Sequence, residues 1–259
     1  MGDRALDHTS LVRVLAEGGC IAPEEEAAEL LRAAAEGSGT LEELVARRLA
    51  GEPLAWVTGS VLFCGLRVRV EPGVYVPRPH TQALARRAAS LLPPAGIGVD
   101  LCTGSGAIAV VLAAAKPGAT VLATDVDPVA VACARRNGVE ALLGSLDEPL
   151  PASIRGRVNV LTAVVPYVPS EELHLLPRDV LAHEPRLALD GGPSGTTRLE
   201  QVARSSPGWL APGGRVLLEL GGDQAAAVAE TMEGAGLSDI RVHRDGGGDD
   251  RAIESRRPG

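Results

Sequence analysis

The chain has 259 residues, enough for one large domain or for a large and a small one. Hydrophobic residues make up 45% of it but aromatics only 2%, so aliphatic side chains have to fill the core. A formal net charge of -8 weighs against broad nucleic-acid binding, which depends on many Lys and Arg contacts to phosphate. Cys20, Cys64, Cys102 and Cys133 lie far apart with no CxxC pair, so they read as small buried residues and no metal site is expected. The start, "MGDRALDHTS", lacks an apolar signal core, and no stretch approaches the roughly 20 apolar residues of a membrane span. The expectation is a soluble cytoplasmic protein with no nucleic-acid or membrane partner.

Residues 8–50 carry helical periodicity and predict two or three short helices. "APEEEAAELLRAAAEG" has Pro23 in its first turn followed by acids, and Leu30 and Leu31 on the expected buried side. In "TLEELVARRLAG" Thr40 and Glu43 have the spacing of a capping box, and Gly51 ends the pattern. Residues 1–53 are therefore expected as a small helical lobe. Residues 54–76 change character: "LRVRV" alternates apolar and basic, with turns at Gly65 and Pro72-Gly73, which predicts a β-hairpin linker. "PRPHTQALARRAASLL" then reads as a helix behind a Pro-Arg-Pro elbow.

From about residue 96 strands and helices alternate. "GIGVDL", "ATVLATDV", "VNVLTAVV" and "GRVLLELG" read as strands, "GAIAVVLAAAK" and "DPVAVACARRNG" as helices, and "IRVHRD" and "RAIESRR" as a closing strand pair. Residues 77–259 are expected as an α/β domain with a mostly parallel, Rossmann-like sheet covered on both faces and an antiparallel edge.

"VDLCTGSGAIA" puts Asp100 at the end of a strand and Gly104 and Gly106 ahead of a helix, where doubly wound folds bind nucleotides. "GSGAIA" matches G-x-G-x-x-A, a dinucleotide fingerprint that is weak by itself. Asp100, four residues before the glycines, would repel a pyrophosphate but can approach the cationic amino-acid end of S-adenosylmethionine. Asp125 ends the next strand, where a carboxylate can take both ribose hydroxyls, while Asp127, directly before Pro128, is the better helix cap.

Several segments in order resemble the protein N5-glutamine methyltransferases, class I S-adenosylmethionine-dependent enzymes that modify the glutamine of translation release factors. They are "GEPLAWVTGSVLFCGLRVRVEPGVYVPRPHTQ", "VDLCTGSGAIA", "ATDVDPVAVACARRN", "HEPRLALDGG" and "LAPGGRVLLELG". The resemblance covers nearly the whole chain. It implies a seven-stranded sheet of order 3-2-1-4-5-7-6, S-adenosylmethionine as cofactor and S-adenosylhomocysteine as product. Cofactor contacts are implied at Asp100, Thr103, Gly104, Gly106, Asp125, Val126, Ser145, Leu146 and Val164.

The family's Asn-Pro-Pro-Tyr signature, whose Asn side chain and next backbone carbonyl accept from the acceptor's amide nitrogen, falls on "LTAVVPYVPS". This chain reads Val164-Val165-Pro166-Tyr167 there, and Val cannot accept a hydrogen bond. His80 and Gln82 stand where the family has two glutamates, and Ser145 stands in place of its Gly-Asp-Leu, so an adenine-side carboxylate is missing. These departures lead to the expectation of a small planar acceptor, an aromatic metabolite such as an indole, rather than a protein. Val164, Val165, Pro166, Tyr167 and Arg78 would form its site. Tyr167 would help to aim it, with His183 or Glu184 as base, backed by Tyr167 or Asp179. The alternatives are methylation of a protein glutamine, an inactive scaffold and an NAD-dependent enzyme; the oligomeric state stays open.

Overall fold

The computed structural model describes residues 7–259, apart from the side chains of Arg178 and Asp179; the first six residues of the expected lobe therefore lie outside the described part. Three helices come first: α1 (His8–Glu17), α2 (Pro23–Ala35) and α3 (Leu41–Leu49). Each starts as its sequence dictates. Asp7 accepts from Ser10 N at 2.8 Å, Pro23 opens α2, and Thr40 and Glu43 form a reciprocal capping box. Leu11, Leu15, Leu30 and Leu44 bury themselves in one cluster with Val57. Leu31 is only half buried at its margin. Glu26, itself nearly buried, is held by Arg48 at 2.6 Å.

The stretch read as a hairpin begins instead with a short helix, α4 (Leu54–Thr58), closed by Gly59 at φ +74°. The hairpin proper is confined to β1 (Ser60–Phe63) and β2 (Leu66–Arg69). A five-residue apolar run has no periodicity that separates helix from strand, so the sequence could not show α4. Trp56 Nε1 donates to the Val74 carbonyl at 2.9 Å and ties α4 to the irregular segment that leads to the Pro-Arg-Pro elbow.

The remaining elements are α5 (Thr81–Leu91), β3 (Ile97–Leu101), α6 (Ala107–Ala115), β4 (Thr120–Asp125), α7 (Pro128–Arg136) and β5 (Glu140–Leu143). They continue with β6 (Val158–Ala163), α8 (Arg178–His183), α9 (Thr197–Trp209), β7 (Leu210–Glu219), α10 (Ala225–Gly234), β8 (Ser238–Arg244) and β9 (Asp250–Arg256). The seven strands β3 to β9 form one sheet in the order β5-β4-β3-β6-β7-β9-β8, which is the expected 3-2-1-4-5-7-6. Pairing is parallel except along β9, which runs antiparallel to both neighbours. The outer pairing of β8 is broken by register shifts, and Asp239 there has φ +54°.

Side-chain parity sends β6 to both faces. Leu161, Ala163 and Val165 pack with α9 and α10, whereas Val160 and Val164 pack with α5 and α6. No described helix is long and apolar enough to cross a membrane.

Candidate active site

Because β3, β4 and β6 are parallel and adjacent, their carboxyl ends open together onto one cavity. The glycine loop, Asp125, Val126, Ser145 and Leu146 line one part of it, and Val164 and Pro166 another. The left-handed Gly106 (φ +83°) lets the loop press on α7, for a Cβ there would stand 3.0 Å from Val139 and 3.1 Å from Ala134.

Asp100 is buried and accepts from Thr103 Oγ1 at 2.6 Å and Thr162 Oγ1 at 2.7 Å. Thr103 thus serves the site by holding a carboxylate. Burial pushes the Asp100 carboxyl up to about 6, and the charge of Asp125 adds to this. Asp125 accepts from Gly104 N at 2.8 Å and Asp127 N at 3.0 Å, and burial raises its carboxyl too. Two bonds leave part of a carboxylate's roughly four acceptor sites for a ligand. Asp127 caps α7 through Val129 N at 2.8 Å, as its place before Pro128 suggests.

This donor set fits S-adenosylmethionine. Two neighbouring carboxylates, one buried and one half-buried, with only neutral protein donors suit a cation and a pair of ribose hydroxyls, and would repel a pyrophosphate. Ser145 stands at the far end, and the next acid, Asp147, is engaged by Trp209 Nε1 at 2.5 Å. No adenine-side carboxylate is supplied there. Val126 is half exposed at the rim, and Leu146, at φ +47°, accepts from Thr124 Oγ1 through its carbonyl at 2.7 Å.

The corner after β6 and the residues expected around it differ from expectation. Val165 is not part of an acceptor wall: parity turns it into the core, where it is 1% exposed. Tyr167 packs on Gly221 and donates to Glu219 Oε1 at 3.2 Å. Burial and the Glu219 charge raise its hydroxyl, which favours the neutral donor that this bond requires. Glu184 is a clamp, 5% exposed, accepting from Arg78 at 2.7 Å and from Val76 N at 3.4 Å. That clamp also occupies Arg78, which donates to the Tyr75 hydroxyl at 3.2 Å instead of reaching into the cavity. His183 packs edge-on against Trp56 with ring centroids 6.1 Å apart. The side chain of Asp179 lies outside what the structure describes.

From that segment the cavity takes Pro185, Leu187, Ala188 and Asp190, together with Arg198 of α9 and Tyr75, Pro77 and Thr81 from the elbow. Sequence reasoning missed all of these; only the spacing of Thr81 to the buried face of α5 carried a signal. The segment is locked to the corner by Val168 N to Leu189 O at 3.1 Å and Gly191 N to Val168 O at 2.8 Å. Gly195 has to be glycine, since its Cβ would stand 2.3 Å from the Tyr167 carbonyl oxygen. Gln224 Nε2 donates to that same carbonyl at 2.7 Å.

Comparison with known proteins agrees with this geometry. The family model described as "Methyltransferase small domain" matches residues 66–144. The release factor glutamine methyltransferase of Cereibacter sphaeroides is 38% identical over 86% of this chain and 81% of its own length. That of Bordetella pertussis is 40% identical over 81% and 79%. Among solved structures, a methyltransferase from Pyrococcus furiosus superposes with a TM-score of 0.54 at 21% identity, covering 83% of this chain and 98% of its own, which speaks to the fold. These relatives overturn the small planar acceptor: the missing asparagine is one departure in a chain that otherwise aligns across most of its length with enzymes named for a protein substrate. The chain is an S-adenosylmethionine-dependent methyltransferase, and by these relatives it belongs to the release factor glutamine methyltransferase family.

Proposed function

We propose that this protein methylates the side-chain amide nitrogen of a glutamine in a translation release factor. Its similarity to release factor glutamine methyltransferases over more than four-fifths of the chain carries the reading. When bound, S-adenosylmethionine would supply an electrophilic sulfonium methyl group, and the amide nitrogen that takes it would release its proton to solvent. Asp100 would attract the ammonium end of the cofactor and Asp125 would take its ribose hydroxyls, both carboxylates lining the cavity. Gly104 and Gly106 let the backbone come close, and Val126, Ser145, Leu146 and Val164 border the rest.

An amide nitrogen is a poor nucleophile, so holding it in line with the methyl is the main task left to the protein. In this reading the carbonyl of Val165 accepts one amide N–H, as the resemblance to the family signature implies, and Pro166 and Tyr75, which line the cavity, wall the glutamine's aliphatic stem. Tyr167 acts by stiffening the corner. In this reading residues 7–53 form a lobe, 54–76 a connector and 77–259 the catalytic domain, and such an acceptor calls for an enzyme in the cytoplasm.

The test is incubation of the purified protein and S-adenosylmethionine with a bacterial release factor, followed by peptide mass spectrometry. A single glutamine gaining one methyl group is the expected result. An unmodified release factor, with S-adenosylhomocysteine still bound by the protein, would sink the acceptor assignment.

A further inference from the structure

Sheet order lays the cofactor site out in a row. Asp100 lies on β3, Asp125 ends β4, and Ser145 follows β5, the next strand outward. With the ammonium end at Asp100 and the ribose at Asp125, the nucleobase falls at Ser145 and Leu146. No carboxylate of the cavity is left for it. Asp127 caps α7, and Asp190 is held by Ser170 at 2.6 Å and Arg186 at 3.0 Å on the opposite segment. Asp147, beyond Ser145, is taken by Trp209.

A second hollow adjoins this end. Ser145, Leu146 and Arg198 line the cofactor cavity and also an open recess of about 490 Å³ beside it. Gln201 and Arg204 of α9 and the exposed Glu148 form further parts of that recess. The two hollows therefore meet over the short side chain of Ser145. Arg198 stands at the junction, exposed, donating to Gln201 Oε1 at 3.1 Å and with no ion pair among the described residues. Its planar guanidinium can stack on a ring.

A carboxylate facing the exocyclic amine of adenine would demand an N–H, and an alkyl group in place of that N–H would leave the acceptor unpaired. A half-buried serine makes no such demand, because its hydroxyl can turn and donate elsewhere. We propose that the nucleobase end of the cofactor site is permissive: it takes adenosyl ligands alkylated on the exocyclic amine N6, the substituent enters the recess over Arg198, and Ser145 sets this specificity. The proposal does not depend on which acceptor is methylated.

The experiment is calorimetric titration of wild type, Ser145→Asp and Gln201→Trp with S-adenosylhomocysteine, its N6,N6-dimethyl derivative and its N6-benzyl derivative. Wild type is expected to bind all three within about fivefold of one another. Ser145→Asp should bind the dimethyl compound about tenfold or more weakly than S-adenosylhomocysteine, because its carboxylate finds no N–H there. Gln201→Trp fills the recess from an exposed position of α9. It should lose about tenfold or more for the benzyl compound and keep wild-type affinity for the other two. Rejection of the dimethyl compound by wild type, by tenfold or more, overturns the proposal and would put an acid such as Glu148 on the base. Rejection of the benzyl compound alone overturns it too, since the recess would then not continue the site. Undiminished benzyl binding by Gln201→Trp would place the substituent elsewhere and sink the assignment of the recess.

Discussion

Two carboxylates buried in the same sheet have opposite fates. Glu254, on β9, is fully buried and meets Arg87 at 2.8 Å, Arg215 at 2.5 Å and His243 at 3.1 Å. Burial alone would raise its carboxyl, but the guanidiniums outweigh it and hold the group below the ordinary glutamate range. Asp100, on β3, is just as buried, yet its bonded partners are two threonine hydroxyls and the charge beside it is another acid. A structural charge brings its counterion with it. A binding charge is left short of one, and the shortfall is what a cationic ligand can supply.

Removing the paired charge should do the most damage. Glu254→Gln would leave two guanidiniums facing a neutral amide, and a loss of about 2–4 kcal/mol of stability is expected, read from urea unfolding at pH 7. Because the folded-state value of Glu254 is depressed, its contribution is present above the usual carboxylate range and fades as pH falls through it. The difference between variant and wild type should therefore narrow below about pH 4.

Asp100→Asn should do the reverse to the empty protein while harming the loaded one. Raised to about 6, the Asp100 carboxyl lowers stability progressively as pH climbs from about 4 to 6, with the full cost present above that window. The variant's apoprotein is expected to melt a few degrees higher at pH 8, with the gain gone near pH 4. Its S-adenosylhomocysteine affinity should fall by about tenfold or more. Wild-type affinity should itself rise with pH through about 6 as the carboxyl ionises. An Asp100→Asn protein that binds the ligand as well as wild type would end the contrast between the two acids.

The smallest effect is expected at the corner. Tyr167→Phe removes one hydrogen bond to the buried Glu219, which keeps His80 at 3.2 Å. About 1 kcal/mol of stability should be lost, with a several-fold drop in kcat and little change in S-adenosylhomocysteine affinity. A collapse of cofactor binding instead would mean that the corner supports the cofactor end as well.

What could be read in advance follows from where each requirement is encoded. The glycine loop, Asp100, Asp125 and the Asp127 cap lie within about thirty residues of each other, and backbone geometry ties each to a fixed spacing. Glu184 looked like a base because its partners, Arg78 and Val76, lie more than a hundred positions earlier. Val165 could have been placed by strand parity, but the prolines that follow obscured where β6 ends. The absence of asparagine at Val164 was visible, and its meaning was not. A lost side chain shows which contact is gone and is silent on what takes its place, because the residues that line the cavity come from elements far apart in the chain. The four residues of β5 carry no alternation that would announce a strand, so only the resemblance foretold the seventh.

The two rims of the sheet have a consequence for behaviour at high concentration. One rim is β5, four residues long, too short to recruit a foreign strand. The other is β8, whose ladder is interrupted at two points and whose outward side chains include Arg241, His243 and Arg244. A strand arriving from another copy would meet kinked backbone and long, ion-paired arginine side chains at one rim and run out of partners at the other. The sheet is finished at both ends, and crowding the molecules together gives it nothing to grow by.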